Sequence, residues 1–257
     1  MKINKFKKVG PSKYRIELDN KETLELYEEV IIKYNLLYTK CLEIDKLNEM
    51  LEFNNYSKAY EESVKFVSKK MHCKKEIKEF LSKSSYNSHI IDSVIKRLEE
   101  NNLINEENYV KSYINDKINL TKDGPNKIRD DLEKKGIDPN IIYMILDEID
   151  KELINDKIRR YIEKRKKLNT KYSTKMMNNK ITQELLNLGF DLDAILTYID
   201  DGAQDDGELI KKEFNKAKLR YSKKYTGIEL NQKIKTYLYS KGFSISDINN
   251  IISSESK

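Results

Sequence analysis

Tryptophan is absent from the 257 residues, and cysteine and histidine occur only twice each. Cys41 and Cys73 show no C-x-x-C spacing, and with His72 and His89 they supply too few soft ligands for a structural zinc site. A reduced cysteine used for packing or helix capping is the reading that fits. His72 and Cys73 are neighbours on one predicted helix, so their side chains diverge and a thiolate–imidazole pair is not expected. Eight glycines and three prolines are too few for a turn-rich all-β fold. The isolated glycines also exclude a phosphate-cradling loop, and neither G-x-S-x-G nor H-E-x-x-H occurs. No apolar run approaches the roughly 20 residues of a membrane span. The opening Met1–Lys8 segment lacks a secretory core, so a cytoplasmic location with no membrane association is expected. Catalytic residues, metal and cofactor are all expected to be none.

Charge is abundant. Charged residues make up 36% of the chain against 38% hydrophobic, with a mean hydropathy of −0.76 and a net charge of +6. That balance suits a thin core spread over much surface. The charge is unevenly placed. Residues 151–180 hold 11 basic and 3 acidic side chains, 211–224 hold 7 and 1, and 100–156 reverse the balance with 8 and 14. Such alternation fits selected elements meeting a polyanion or an acidic protein, and equally a solvated lysine-rich helix face. Only 7 of the 49 cations are arginine, so bidentate readers of bases or carboxylates are scarce.

Internal repetition decides the architecture. Gly136, Gly189 and Gly242 stand 53 residues apart, with Leu132, Leu185 and Leu238 four before them and Ile128, Ile181 and Ile234 eight before. Ile137, Phe190 and Phe243 follow, then Asp138, Asp191 and Ser244; Ile142, Ile195 and Ile248 come six after the anchors. Stepping back 51 residues lands on Ser85, with Ile77, Leu81, Tyr86, Asn87 and Ile91 at the same offsets. Each copy predicts a helix with an i, i+4 apolar face that ends in a left-handed residue, and then a capped third helix. A longer helix precedes this pair, carrying Tyr60, Val64 and Val67; Tyr109, Val110, Tyr113 and Ile114; Ile158, Tyr161 and Ile162; or Phe214 and Leu219.

The chain therefore reads as mainly α, an elongated tandem array of three-helix repeats with a small N-terminal β-ribbon extension. Residues 1–55 form the ribbon and short helices, and repeats follow at 57–104, 105–150, 151–203 and 204–257. Within the extension, Lys13–Leu18 and Thr23–Leu26 alternate polar and apolar around an Asp19–Glu22 turn, Ile3–Phe6 offers another strand, and helices are expected near Tyr27–Tyr34 and Ile44–Phe53. The acidic run Asp200–Gly207 lacks calcium-loop spacing and reads as a linker turn that caps the next helix. Tyr161, Tyr221 and Tyr225, beside basic residues, fit either stacking on single-stranded nucleic acid or core packing with the hydroxyl at the rim.

Leu120–Ile137 contains Gly124-Pro125-Asn126-Lys127-Ile128, then Leu132, Lys135, Gly136 and Ile137. This resembles the G-P-x-x-I-x-x-x-L-x-x-K-G-I signature of the RecX family, regulators of the RecA recombinase. Leu103–Val110 is similar to the segment that opens the same module in that family. Lys70–Ile77 aligns with its R-x-R-S-x-x-E-L pattern through Glu76 and Ile77, with Cys73 in place of the capping serine and His72 in place of an arginine. The extended length resembles members from Gram-positive bacteria. The resemblance implies tandem three-helix repeats without catalytic residues. It implies binding to RecA protein and to the groove of RecA–DNA filaments, so that filament extension, strand exchange, ATP hydrolysis and coprotease activity fall. It places the chain in DNA repair, homologous recombination and the SOS response, as a monomer. Contacts are expected at Lys122, Lys127 and Arg129 and at Arg159, Arg160, Lys164, Arg165, Lys166 and Lys167. A direct DNA-binding repeat protein, occupying single- or double-stranded DNA, is the alternative.

Overall fold

A computed structural model describes residues 1–199 and 206–255; most of the acidic run at 200–205 lies outside the described residues. Three antiparallel strands open the chain, β1 (Ile3–Lys8), β2 (Lys13–Leu18) and β3 (Thr23–Tyr27), in spatial order β1-β2-β3. Alternation sorts their faces. Ile16 and Leu18 are buried with Ile3 and Leu26, while Arg15 reaches across to Glu25 at 2.8 Å on the solvent side. Lys21, at φ 68°, turns the chain between β2 and β3, with the Leu18 amide donating to the Glu22 carbonyl.

Helices α1 (Glu28–Lys33) and α2 (Leu36–Thr39) close this sheet with Val30, Ile31 and Leu36. The next helix departs from expectation. The short helix read near Ile44–Phe53 and the first helix of the first repeat are one continuous α3, Leu47–Val67, which runs straight through residues 55–57. Its reason is visible at Asn54, which donates to the Glu25 carbonyl and accepts from the Tyr27 amide. This polar residue stitches the helix to β3. Arg97 reinforces the link by gripping Glu29, which also accepts from Ser57.

The remaining helices follow in threes. They are α4 (Lys74–Lys83) and α5 (Ser88–Glu100) after α3; α6 (Glu106–Leu120), α7 (Pro125–Lys134) and α8 (Pro139–Asp147); α9 (Lys151–Lys167), α10 (Thr174–Asn187) and α11 (Leu192–Leu196); and α12 (Gly207–Tyr221), α13 (Gly227–Ser240) and α14 (Ile245–Glu255). In every middle helix the paired aliphatics are almost wholly buried: Ile77/Leu81, Ile128/Leu132, Ile181/Leu185 and Ile234/Leu238. Leu219 is the exception to the apolar assignments, 72% exposed on α12, while Phe214 and Ala217 fill the core there.

All four anchors are left-handed, Ser85 at φ 63°, Gly136 at 77°, Gly189 at 85° and Gly242 at 87°. The residue after each donates its amide back to the buried leucine: Tyr86 to Leu81, Ile137 to Leu132, Phe190 to Leu185 and Phe243 to Leu238, at 3.1–3.4 Å. The anchor's own amide closes a shorter turn, such as Gly136 to Glu133 at 2.9 Å. These two bonds define a Schellman ending, which satisfies carbonyls the helix leaves unpaired.

The chain divides into two compact units, Met1–Tyr113 with Leu132–Ile142, and Ile114–Asp131 with Tyr143–Lys257. The division passes through α6, α7 and α8.

Candidate interaction surface and the joints between modules

The middle helices meet end to end. In the first unit the N-terminus of α4 faces the end of α7: Lys75 donates to the Lys134 carbonyl at 2.8 Å, and the Cys73 thiol lies 3.9 Å from the Lys135 carbonyl. In the second unit the start of α7 faces the end of α10, with the Gly124 amide 2.6 Å from the Leu188 carbonyl and the Asn126 amide 3.0 Å from that of Gly189. There the start of α10 also faces the end of α13; Ser173 donates its amide to Lys241 at 3.0 Å and its hydroxyl to Gly242 at 2.7 Å. In the two joints of the second unit, amides at the start of one helix reach carbonyls left unpaired at the end of another, whereas in the first unit the donors are the Lys75 ammonium and the Cys73 thiol.

The Gly-Pro pair of the signature is explained by this joint. A Cβ on Gly124 would stand 2.6 Å from the Gly189 carbonyl oxygen, so only glycine permits the approach. Pro125 then opens α7, where its missing amide costs nothing. Beside it, buried Asp123 accepts from Lys127 at 2.7 Å and Lys117 at 3.3 Å. Burial opposes its charge, but these two ammonium groups outweigh that and hold the carboxyl below its usual range. Lys157 from α9 completes the corner, donating to the carbonyls of Ile118 and Asp123; burial pushes its ammonium down.

A second polar cluster occupies the first unit. His72 is buried, stacks on Phe66 at 3.9 Å, and its Nδ1 lies 2.9 Å from Glu76. Glu76 also accepts from Lys135 at 2.7 Å. Burial works against the Glu76 charge, yet the Lys135 and His72 hydrogen bonds keep its carboxyl below the ordinary value. For Lys135 burial likewise opposes the charge, and bonds to Glu76 and Tyr109 raise it on balance. Cys73 is buried and reduced at the start of α4, in the capping role expected by position but without a cap bond from sulfur; Cys41 is exposed and free.

All nine residues expected to contact a partner lie in the second unit, but they are not equally available. Arg159 is held by Glu152 and Asp156, and Arg160 by Asp156 at 3.1 Å, all along α9. Arg165 makes a two-pronged bond to Glu184 of α10, which also accepts from Tyr161. Lys127 is committed to Asp123, and Arg129 reaches Asn126 and Asp130. Lys122, Lys164 and Lys167 are exposed and Lys166 half-buried, with no ion pair to a described residue. The cations of this set without an ion pair are thus lysines, suited to diffuse attraction rather than forked recognition, while Arg160 is paired yet has its side chain 80% exposed.

Sequence reasoning did not pick out Lys75, Asp123, Lys157 or Ser173, whose partners are mostly backbone carbonyls that leave no mark in composition. The tyrosines divide: Tyr161 is tied to Glu184 at the core's edge, Tyr221 packs edge-on to Tyr237, and Tyr225 lies beneath Lys233. Among the described residues no group of His, Cys, Asp and Glu is arranged to hold a metal, and no helix is long and apolar enough to cross a membrane.

Two segments of the chain match family models of known proteins. Residues 105–143 match the family description "RecX, second three-helix domain", and residues 204–252 match "RecX, third three-helix domain". The second of these matches falls on the fourth repeat. Relatives named "Regulatory protein RecX" align along nearly the whole chain. One from Streptococcus agalactiae is 32% identical over 96% of this chain and 97% of its own, and one from Streptococcus pyogenes is 33% identical over 97% of each. A crystal structure of regulatory protein RecX superposes with a TM-score of 0.70 at 23% identity, covering 77% of this chain and 98% of that one. A crystal structure of RecX from Lactobacillus salivarius gives 0.54 at 33% identity, covering 56% and 94%.

Proposed function

The chain belongs to the RecX family, and on that premise we propose that it is a non-catalytic, monomeric negative modulator of RecA. It binds RecA and RecA–DNA filaments in the cytoplasm and lowers filament extension, strand exchange, ATP hydrolysis and coprotease activity, acting in homologous recombination, DNA repair and the SOS response. The observation that carries this reading is near-full-length identity to regulatory RecX proteins, joined to repeated modules whose second unit turns unpaired lysines outward. Lys122, Lys164, Lys166 and Lys167 supply the attraction toward acidic protein surface or phosphate. Lys127, Arg129, Arg159, Arg160 and Arg165 join only by exchanging their present carboxylate or amide partners. For the exposed pairs of Arg159 and Arg160, worth about 0–1 kcal/mol each, that exchange is inexpensive; for Lys127 on buried Asp123 and Arg165 on Glu184 it costs more.

RecA ATPase measured on single-stranded DNA at substoichiometric amounts of this protein tests the proposal. Inhibition at such ratios is expected, since a modulator that caps or dismantles filaments acts on many subunits per molecule. No inhibition, or inhibition only when the protein saturates the DNA, overturns it. Charge reversal at Lys122, Lys164, Lys166 and Lys167 is expected to weaken inhibition; unchanged inhibition refutes this choice of surface.

A further inference from the structure

The loop between α9 and α10 assembles a cationic cluster outside the nine residues above. Asn169 shapes it, accepting from the amides of Lys171 and Tyr172 and donating to the Tyr172 carbonyl at 2.6 Å. Ser173 then anchors it to the end of α13, and Thr174 to the Asp206 carboxylate at 2.8–2.9 Å. Tyr172 packs its half-buried ring against the core of the third module. Three ammonium groups gather around that ring: Lys180 at 4.6 Å, Lys241 at 4.9 Å and Lys171 at 5.1 Å from its centre. They come from α10, from the end of α13 and from the loop itself, and the joint between α10 and α13 brings them together.

None of the three makes an ion pair with a described residue. Glu184, one turn beyond Lys180, is already taken by Arg165 and Tyr161. Each cation is attracted to the ring, while their like charges set the three against one another. The chemical partner that fits three converging ammonium groups is an anion with several oxygens. Lysines act as point charges without a fork, so they select phosphate charge rather than base identity, and an aromatic ring among them offers a sugar or base a surface.

We propose that Lys171, Lys180 and Lys241, gathered on Tyr172, form a binding site for the phosphodiester backbone of a single-stranded nucleic acid. The site works on the naked strand and does not depend on the RecA reading.

Fluorescence anisotropy with an oligothymidylate of about 20 nucleotides, titrated over salt, tests it on the full chain. The triple variant K171Q/K180Q/K241Q is expected to bind about tenfold more weakly at about 50 mM salt, with a log–log salt slope shallower by about 2. Replacing the three with arginine is expected to restore both, since charge and not fork geometry is used. The control K2Q/K5Q/K7Q, which removes equal charge from β1 and its flank, is expected to change little. Wild-type affinity and slope in the site triple overturn the proposal, as does an equal loss in the control, which would indicate net charge alone. A site triple that binds the naked strand normally yet loses affinity for RecA-coated DNA also overturns it, and assigns the cluster to an acidic protein surface. Loss of strand binding with RecA inhibition retained supports the site and leaves the filament reading standing.

Discussion

The first unit and the second unit use the same helix ending but join their helices differently. In the second, backbone meets backbone: amides of Gly124, Asn126 and Ser173 reach carbonyls at 2.6–3.0 Å, and a Cβ on Gly189 would stand 2.6 Å from that of Lys127. In the first, long side chains bridge the joint. Lys75 spans to Lys134, Lys135 returns to Glu76, and a Cβ on Gly136 would meet nothing closer than 3.9 Å. One glycine thus serves conformation alone, while another serves conformation and close approach. A repeated motif keeps its backbone angle while the tightness of its neighbour contact varies.

Substitution of the glycines separates the two roles. Gly189→Ala incurs both the left-handed strain and the collision with α7, and is expected to lose about 3–4 kcal/mol of unfolding free energy in a denaturant titration. Gly124→Ala, away from positive φ, incurs the collision only, about 2 kcal/mol. Gly136→Ala incurs the strain only, about 1–2 kcal/mol. Equal losses at Gly136 and Gly189 would abolish the distinction between the joints.

The anchors themselves were legible in the sequence because a left-handed helix ending selects glycine, and the buried leucine four residues before it repeats with it. What the endings touch was not legible. The partner of Gly124 is a backbone carbonyl 64 residues on, and backbone groups are the same whatever the side chain. Some signals were present but unread: Asp156 stands three and four residues before Arg159 and Arg160, the spacing at which helical ion pairs form. The Arg165–Glu184 pair had no such local sign, because it joins two helices. Continuity of α3 was hidden for the same reason, since the partner of Asn54 lies on β3.

The side-chain latch of the first unit carries a pH signature. The Glu76 carboxyl is held below its ordinary 4.5, so its stabilisation is fully present above that value and is lost as pH falls through the lower folded value. Glu76→Gln is therefore expected to cost about 1 kcal/mol at neutral pH, with the gap to wild type closing in acid. Denaturation curves at pH 7 and pH 3 check this; a gap of constant size would mean that Glu76 contributes through packing rather than charge.

The smallest effect sits where the series of joints begins. Ser85 is the only anchor that is not glycine, and it is exposed at the end of α4, whose opposite end makes the first joint. With no neighbour pressed against it, the position escapes the steric demand met by Gly189, and only the angle of 63° disfavours a side chain. Ser85→Gly relieves that strain, about 1–2 kcal/mol, but gives back part of it through the greater freedom of glycine in the unfolded chain. A net gain of about 0.5–1 kcal/mol is expected, seen as a higher denaturation midpoint at unchanged slope. A loss instead would mean that the serine side chain makes a stabilising contact of its own, and that the first module ends its helix on different terms from the other three.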